Sequence, residues 1–196
     1  MDTAGALRVE VGAGLGARAG VGICTLGDYW HPDRDERTGI GLLIHRAKDL
    51  ADAGAAQELA ERFASLANAL PEATGDLPRL VAPVPYTPLP AGDGDRPQLA
   101  ELLAASLAAA GAGEYRPHLV VKRNPTPRLR HVDPERRAEV AASAGYRARE
   151  PVAGRHVVVV DDVVLTGATL EAVTACLHDA GAVSVTAAVA AHTRQR

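Results

Sequence analysis

The feature that most constrains the fold is a run of four valines, 157–160, followed directly by Asp161 and Asp162. Consecutive β-branched residues are typical of a strand buried on both faces, as in the middle of a parallel sheet. We therefore expect the strand to cover 157–161 and the two carboxylates to stand at its carboxyl end. A loop of small residues and then a helical pattern follow, and Gly181 is placed to end that helix.

The loop after the acidic pair has a composition suited to an anion. It reads Leu165-Thr166-Gly167-Ala168-Thr169. Small residues let a ligand approach the backbone, and N–H groups at a helix N-terminus favour negative charge. The two carboxylates would repel a second phosphate but would accept hydrogen bonds from vicinal hydroxyls. A sugar phosphate meets both demands, with its phosphate at the loop and its ribose diol at Asp161 and Asp162.

Three other interpretations compete for this stretch. An apolar run that ends in two aspartates is common at strand ends of α/β proteins, where it has no role in binding or catalysis. A nucleotide triphosphatase would need Gly-Lys-Ser or Gly-Lys-Thr, which the chain lacks. A response-regulator receiver would need most of a domain after the pair, whereas 34 residues follow Asp162. The Thr-Gly-Ala-Thr loop favours the sugar phosphate.

The stretch 157–170 closely resembles the phosphoribosyl pyrophosphate (PRPP) motif of type I phosphoribosyltransferases. In that family the acidic pair holds the ribose hydroxyls and the following loop holds the 5′-phosphate. The resemblance implies an α/β fold with a mainly parallel sheet flanked by helices. It also implies an N-terminal "hood", which we expect to consist of a hairpin and two helices.

The chain length fits one domain with an appendage. We predict a hood over 1–78 and a PRPP-binding core over 79–196. A glycine-rich stretch, 12–20, looks like a dinucleotide fingerprint but lacks the helix that must follow, so we interpret it as the hairpin connection. In the hood, strands are predicted over 7–11 and 21–30, and helices over 38–50 and 55–70.

The core alternates strands and helices as a parallel sheet requires. Asp95 is predicted to cap a helix that runs to about residue 110, and Asp133 with Pro134 to begin another. Besides the valine strand, strands are predicted over 80–85, 119–123 and 183–190.

Ligands bind at the carboxyl ends of the strands in open parallel sheets. This rule should bring together the loops 85–96, 122–132 and 161–169. Pyrophosphate is strongly anionic, so nearby cations would stabilise both bound PRPP and the leaving group. The candidates are Lys122 and Arg123 as catalytic residues, and Pro85, Tyr86, Arg96, Arg128 and Arg130 as pyrophosphate or loop residues.

Further segments resemble the ComF-type branch of the family and the transferase half of amidophosphoribosyltransferases. They are Pro83-Val84-Pro85, the stretch 95–104, the Lys122-Arg123 pair and the arginine-rich stretch 126–137. Ahead of the core, 44–48 is similar to a lysine-bearing helix of that branch. The branch's four-cysteine zinc knuckle is absent, part of its Arg-Gly-Phe-Asn-Gln stretch is missing, and Leu129 stands where a glutamine is usual.

The resemblance implies Mg²⁺-assisted transfer of phosphoribosyl from PRPP to a nitrogen nucleophile, with release of pyrophosphate. The Mg²⁺ ion would be held through PRPP, with Asp161 and Asp162 as its candidate protein ligands. We expect the loop 124–132 to be a mobile lid that excludes water. Two alternatives stay open: a non-catalytic PRPP-binding regulator, and a ComF-like accessory protein in DNA handling.

Composition limits the partners. The net charge of −3 gives no reason to expect nucleic acid. Cys24 and Cys176 are too far apart to suggest a disulfide framework or a zinc site. The chain begins without a signal-peptide pattern and contains no apolar run of membrane-spanning length. We therefore expect a cytoplasmic protein whose partners are PRPP and a small-molecule acceptor, with a homodimer left open.

Overall fold

A computed structural model describes residues 8–10, 22–33, 35–74, 77–86, 98–127 and 129–193. The strands are β1 (Arg8–Glu10), β2 (Gly22–Thr25), β3 (Leu80–Pro83), β4 (Glu114–Tyr115), β5 (Val120–Lys122), β6 (Tyr146–Ala148), β7 (His156–Val164) and β8 (Ser184–His192). The α-helices are α1 (Gly39–Asp49), α2 (Ala53–Ala64), α3 (Leu99–Leu107), α4 (Arg137–Ser143) and α5 (Ala168–Asp179).

Six strands form the central sheet, in the order β1-β2-β8-β7-β3-β4. The valine strand β7 lies inside it, with β8 on one side and β3 on the other. Every neighbouring pair is parallel except β1 with β2. The expected α/β fold with a mainly parallel sheet flanked by helices is confirmed.

The valine run contributes core residues on both faces of the sheet. Val158 and Val160 face a core that α1, α2 and α3 complete, with Phe63 and Leu103 fully buried there. Val157 and Val159 face the opposite core, which contains the apolar side of α5. Because side chains alternate along a strand, an unbroken β-branched run fills both layers at once.

The central strands are longer than expected. We predicted that β7 ends at Asp161, which is wrong, because pairing with β8 continues through Val163 opposite Ala191 and Val164 opposite His192. The acidic pair therefore lies within the strand and not after it. The expected end of β8 at residue 190 is corrected to His192 for the same reason.

The strand predicted over 119–123 is not a member of the parallel sheet. Its ordered part, β5, pairs antiparallel with β6 in a separate two-stranded sheet, with Lys122 opposite Tyr146. Neither β6 nor the two-residue β4 was predicted, because strands this short carry too few residues to show a period of two. β4 pairs with β3 at the edge of the central sheet.

Differences near the N-terminus concern where elements end. The strand predicted over 21–30 stops at Thr25, and a turn carries the chain to Tyr29, whose N–H donates to the His192 carbonyl at 2.8 Å. β2, which belongs to the predicted hood, pairs with β8 of the predicted core, so both parts contribute strands to the central sheet. The boundary at residue 78 stays a prediction. The hairpin connection 12–20 lies outside the described residues.

Helix ends also differ in detail. The helix predicted over 55–70 is α2 followed by a 3₁₀ turn, Ser65–Ala69. Asp133 makes no side-chain cap, although Pro134 opens a 3₁₀ turn that leads into α4. Asp95 lies outside the described residues, and α3 begins after Gln98. Over the ranges that the structure describes, no helix combines the length and apolar character needed to cross a membrane.

Candidate active site

The acidic pair lies at the carboxyl edge of the central sheet. Asp162 is buried and Asp161 is half-buried. The two side chains are held by their own backbone: Asp161 Oδ1 accepts from the Asp162 N–H at 2.9 Å, and Asp162 Oδ1 accepts from the Val163 N–H at 2.7 Å. These bonds fix the orientation of both carboxylates.

Lys48, from the last turn of α1, forms an ion pair with Asp162. Its Nζ donates to Asp162 Oδ2, across a sequence separation of 114 residues. The stretch around Lys48 resembles a family segment, but Lys48 itself was not among the predicted site residues. A lone lysine on a helix surface gives no local signal of a partner so far along the chain.

Tyr146 of β6 is a second group that sequence reasoning missed. Its phenol lies beside the Thr169 side chain and close enough to Asp161 for the negative charge to act on it. Burial, together with that charge, raises the pKa of Tyr146 to about 12. The phenol therefore stays protonated at neutral pH and remains a hydrogen-bond donor beside Asp161 and the loop.

The environment of Asp161 favours its protonated form. Burial is the largest cause, the neighbouring Asp162 charge adds to it, and the Lys48 ammonium acts in the opposite direction. Together they raise the pKa of Asp161 to about 7. A site that disfavours its own negative charge is one that a cation or hydroxyl donors can stabilise by binding.

This raised pKa predicts how stability depends on pH. Between about pH 4 and pH 7 the native chain keeps a proton on Asp161 that the unfolded chain loses, so the free energy of unfolding falls as pH rises. The effect is on the order of a few kcal/mol, at about 1.4 kcal/mol per pKa unit. Urea denaturation at pH 5 and pH 8 measures it. Asp161→Asn should shrink the difference between the two pH values, and an undiminished difference would refute the assignment.

The loop 165–169 leads into α5 as expected. Gly167 adopts φ +80° and ψ −9°, a left-handed conformation that glycine takes without steric cost. The first helical bond runs from the Glu171 N–H to the Gly167 carbonyl at 2.8 Å. The N–H groups of 168–170 precede this bond, so they are the donors that a helix N-terminus offers to an anion.

The predicted cations Lys122 and Arg123 lie at the end of β5 and not on a strand of the central sheet. Lys122 stands opposite Tyr146 in the β5–β6 pair, so it approaches the site through the small sheet and not from a strand beside β7. Its Nζ donates to the Thr126 hydroxyl, and burial lowers its pKa. Arg123 is exposed, and its backbone N–H donates to the Ala144 carbonyl at 3.1 Å.

The remaining predicted site residues divide into two groups. Pro85 and Tyr86 follow β3 at the carboxyl edge, where the Val84 N–H donates to the Val160 carbonyl at 2.8 Å and prolongs the pairing toward Asp161. Arg96 and Arg128 lie outside the described residues. Arg130 lies in a 3₁₀ turn, Leu129–His131, within the predicted lid. The mobility of that lid stays a prediction.

Arg137, which was not predicted as a site residue, anchors one end of the lid. Its side chain is buried at 8% exposure, and Nε donates to the carbonyls of Leu129 and Val132, each at 3.0 Å. The guanidinium group therefore fixes the 3₁₀ turn to the start of α4. Arg137 lies in the arginine-rich stretch 126–137, and no local pattern there separates a buried anchor from solvated neighbours.

Protein groups alone offer little for a metal ion. Across the described residues, no group of three or more histidine, cysteine, aspartate or glutamate side chains could hold one. A metal at the acidic pair would have at most these two carboxylates as protein ligands and would complete its shell with water or substrate oxygens.

The sequence also matches a family model. The phosphoribosyl transferase domain model matches residues 99–196, half of the chain. The chain therefore belongs to the phosphoribosyltransferase family, and its sheet has the architecture of the type I fold. No curated protein matches the chain.

Two of the solved structures that are similar to part of this chain are an HPRT mutant and a hypoxanthine phosphoribosyl transferase. The glutamic acid mutant from an analysis of an invariant aspartic acid in HPRTs is 17% identical, with a TM-score of 0.37 over 68% of this chain and 63% of that one. The Trypanosoma cruzi hypoxanthine phosphoribosyl transferase is 17% identical, with a TM-score of 0.38 over 68% of this chain and 60% of that one. The chain thus spans less than two thirds of the length of either.

Proposed function

We propose that this protein transfers a phosphoribosyl group from PRPP to a nitrogen nucleophile, a nucleobase or an amine, and releases pyrophosphate. The observation that carries the proposal is the joining of an acidic pair to a small-residue helix start at the carboxyl edge of a parallel sheet. Hydroxyl acceptors and phosphate donors are therefore only a few residues apart, as a ribose 5-phosphate requires.

In this proposal the substrate's ribose is bound by the acidic pair and its 5′-phosphate by residues 165–169. The backbone N–H groups at the start of α5 and the hydroxyls of Thr166 and Thr169 donate to the phosphate. The carboxylates accept from the ribose hydroxyls and lie near the positive charge that develops on the sugar when the bond to pyrophosphate breaks. Such preorganised charge is worth most where water is excluded.

The pyrophosphate end needs cations and a cover. Lys122 and Arg123 are proposed to neutralise it, together with Arg96, Arg128 and Arg130 from the loops. The turn anchored by Arg137 gives the lid 124–132 a fixed end about which it could close. Pro85 and Tyr86 are proposed to border the same space from the end of β3.

The carboxylate oxygens of Asp161 and Asp162 are ligands of the kind that Mg²⁺ binds. It binds hard oxygen ligands and commonly takes one or two carboxylates with the phosphates of a substrate. Asp162 Oδ2 is already engaged by Lys48, which leaves the Asp161 carboxylate and the oxygens of PRPP as the natural donors. When bound, Mg²⁺ would neutralise the pyrophosphate and so make it a better leaving group.

The first experiment is calorimetry with PRPP in the presence and absence of Mg²⁺, followed by a pyrophosphate-release assay across purines, pyrimidines and small amines. We expect PRPP to bind, Mg²⁺ to tighten binding, and pyrophosphate to appear with the correct acceptor. Arg123→Ala should lower turnover by about tenfold or more, at 1.5–3 kcal/mol per charged hydrogen bond, and should leave ribose 5-phosphate affinity nearly unchanged. Ribose 5-phosphate carries no pyrophosphate to contact.

Arg62→Ala is the matched control, because Arg62 is an exposed arginine on α2 that pairs only with Glu58 in the ion pairs described. Equal losses of turnover in both variants would refute the role given to Arg123. Absence of PRPP binding in the wild type would refute the proposed function itself.

Tight PRPP binding without pyrophosphate release from any acceptor, together with altered affinity for a macromolecular partner, would favour the non-catalytic regulator. Membership of the ComF-like branch is proposed on the motifs alone. A cytoplasmic location, a homodimer and the expected lack of a nucleic-acid partner stay predictions.

A further inference from the structure

The two adjacent carboxylates of the site are engaged very differently by the protein. Both oxygens of Asp162 are taken, Oδ1 by the Val163 N–H and Oδ2 by Lys48. Within the part of the chain that the structure describes, Asp161 accepts one hydrogen bond, from the Asp162 N–H to Oδ1. Asp161 therefore keeps more capacity to accept hydrogen bonds from a ligand than Asp162 does.

The partners of the two residues also come from opposite sides of the sheet. Asp162 is paired by Lys48 of α1, whereas Asp161 is approached by Tyr146 of β6 and is near the loop that carries Thr169. Successive side chains of a strand point to opposite faces, which separates the two environments. The side with Asp161 is the side on which the proposed phosphate loop begins.

The helix that carries Lys48 is held firmly. Thr38 caps α1 by accepting from the Gly41 N–H at 3.0 Å, and the Thr38 hydroxyl donates to the Asp28 carbonyl at 2.6 Å. Gly41 lets α1 pass close to Tyr29, since a Cβ built on Gly41 would come within 2.0 Å of the Tyr29 carbonyl oxygen. A helix seated this closely delivers Lys48 to a defined position.

We propose that Lys48 is a positioning residue that holds Asp162 as its counter-ion, so that Asp161 is the carboxylate left to engage the ribose hydroxyls and the divalent cation. The assignment rests on the proposed function for the identity of the ligand. It divides the acidic pair into one ligand-binding group and one group bound by the protein, where the sequence alone gives both the same role.

The burial of Asp162 explains why its ion pair with Lys48 matters more than an ordinary surface ion pair. The side chain of Asp162 is 11% exposed and that of Lys48 is 48% exposed. Exposed pairs contribute little, but removing the cation from a buried carboxylate leaves that charge uncompensated. Without Lys48, the two neighbouring carboxylates would have no ammonium beside them, and the more negative site would attract a divalent cation more strongly than the wild-type site does.

The test uses Mn²⁺ alone, measured by electron paramagnetic resonance on the ligand-free full chain. Lys48→Met should bind Mn²⁺ about tenfold more tightly than the wild type, the sense expected when an ammonium beside the carboxylates is lost. Lys48→Arg should stay near the wild type because it keeps the charge. Lys48→Gln is measured as well, because its amide keeps a hydrogen-bond donor. This variant tests the loss of the charge even if Lys48→Met does not fold.

Arg46→Met is the matched control. Arg46 lies on the same helix and pairs through Nε with the partly exposed Asp52 at 2.9 Å, away from the acidic pair. It should leave Mn²⁺ affinity unchanged. Lys48→Met should also cause a smaller further change in an Asp162→Asn background than in the wild type, because Lys48 is proposed to act mainly through Asp162.

The inference is overturned if folded Lys48→Met and Lys48→Gln bind Mn²⁺ no more tightly than the wild type, or if the effect is undiminished in the Asp162→Asn background. These measurements need no PRPP. A failure of PRPP to bind would therefore refute the proposed function, while the Mn²⁺ result would still decide whether Lys48 controls Asp162.

Discussion

Asp161→Asn is expected to weaken PRPP and ribose 5-phosphate binding by about tenfold to a hundredfold, while leaving the folded chain more stable at pH 8. The loss follows from replacing a charged acceptor, since hydrogen bonds to charged groups contribute about 1.5–3 kcal/mol each. The gain follows from removing a negative charge that burial and Asp162 both disfavour, and it should be on the order of 1 kcal/mol or more. Calorimetry measures the first effect and urea denaturation the second.

Asp161→Asn is expected to lower ligand affinity and to raise the free energy of unfolding, so the two effects have opposite signs. A variant that merely damaged the fold would lose stability and affinity together. Asp179→Asn, an exposed carboxylate near the end of α5, is the control and should change neither quantity by more than about 0.5 kcal/mol. Unchanged PRPP affinity in Asp161→Asn would rule out the ribose contact, and lower stability at pH 8 would rule out the unfavourable charge.

Gly41→Ala is expected to destabilise the protein by at least about 2 kcal/mol, because the new Cβ has no space. It would lie 2.0 Å from the Tyr29 carbonyl oxygen and 3.3 Å from Arg37 Cβ, and the nearest of these atoms belongs to backbone. Relief requires α1 to move away from the chain beside β8. In a chain of this size the melting temperature should fall by about 5 °C or more.

Gly39→Ala is the matched control on the same helix, since a Cβ there meets nothing within 4 Å. It should leave the melting temperature unchanged or slightly higher, because alanine is the better helix former. Any shift of α1 also moves Lys48, so Gly41→Ala should reproduce part of the Mn²⁺ phenotype of Lys48→Met. Equal melting temperatures for the two glycine variants would show that the close approach of α1 to Tyr29 is not a constraint on the fold.

Local patterns in the sequence identified the elements that carry the candidate site. The valine run predicted a strand buried on both faces, and the loop 165–169 predicted a helix start with open backbone donors. Each of these inferences concerns residues that are neighbours in the chain. Their side-chain size, branching and polarity act directly on the backbone that bears them, which is why a single sequence suffices.

The extent of the central strands was set by pairing and not by local preference. Asp161 and Asp162 are poor strand formers, yet β7 runs through them because β8 offers backbone partners as far as His192. In the same way, 119–123 has the character of a parallel strand but pairs with β6. A local pattern encodes how deeply a segment is buried, and it does not encode which edge the segment joins.

Thus the sequence by itself determined that a strand, an acidic pair, a small-residue loop and a helix follow one another. Only the tertiary structure decided that Lys48 engages Asp162, that Tyr146 lies by Asp161, and that Arg137 anchors the lid. These contacts join segments that are not adjacent in the sequence, and in the first case 114 residues apart. Such contacts form because the packing of α1, β6 and α4 around the sheet brings the groups together, and no periodicity or propensity along the chain records that packing.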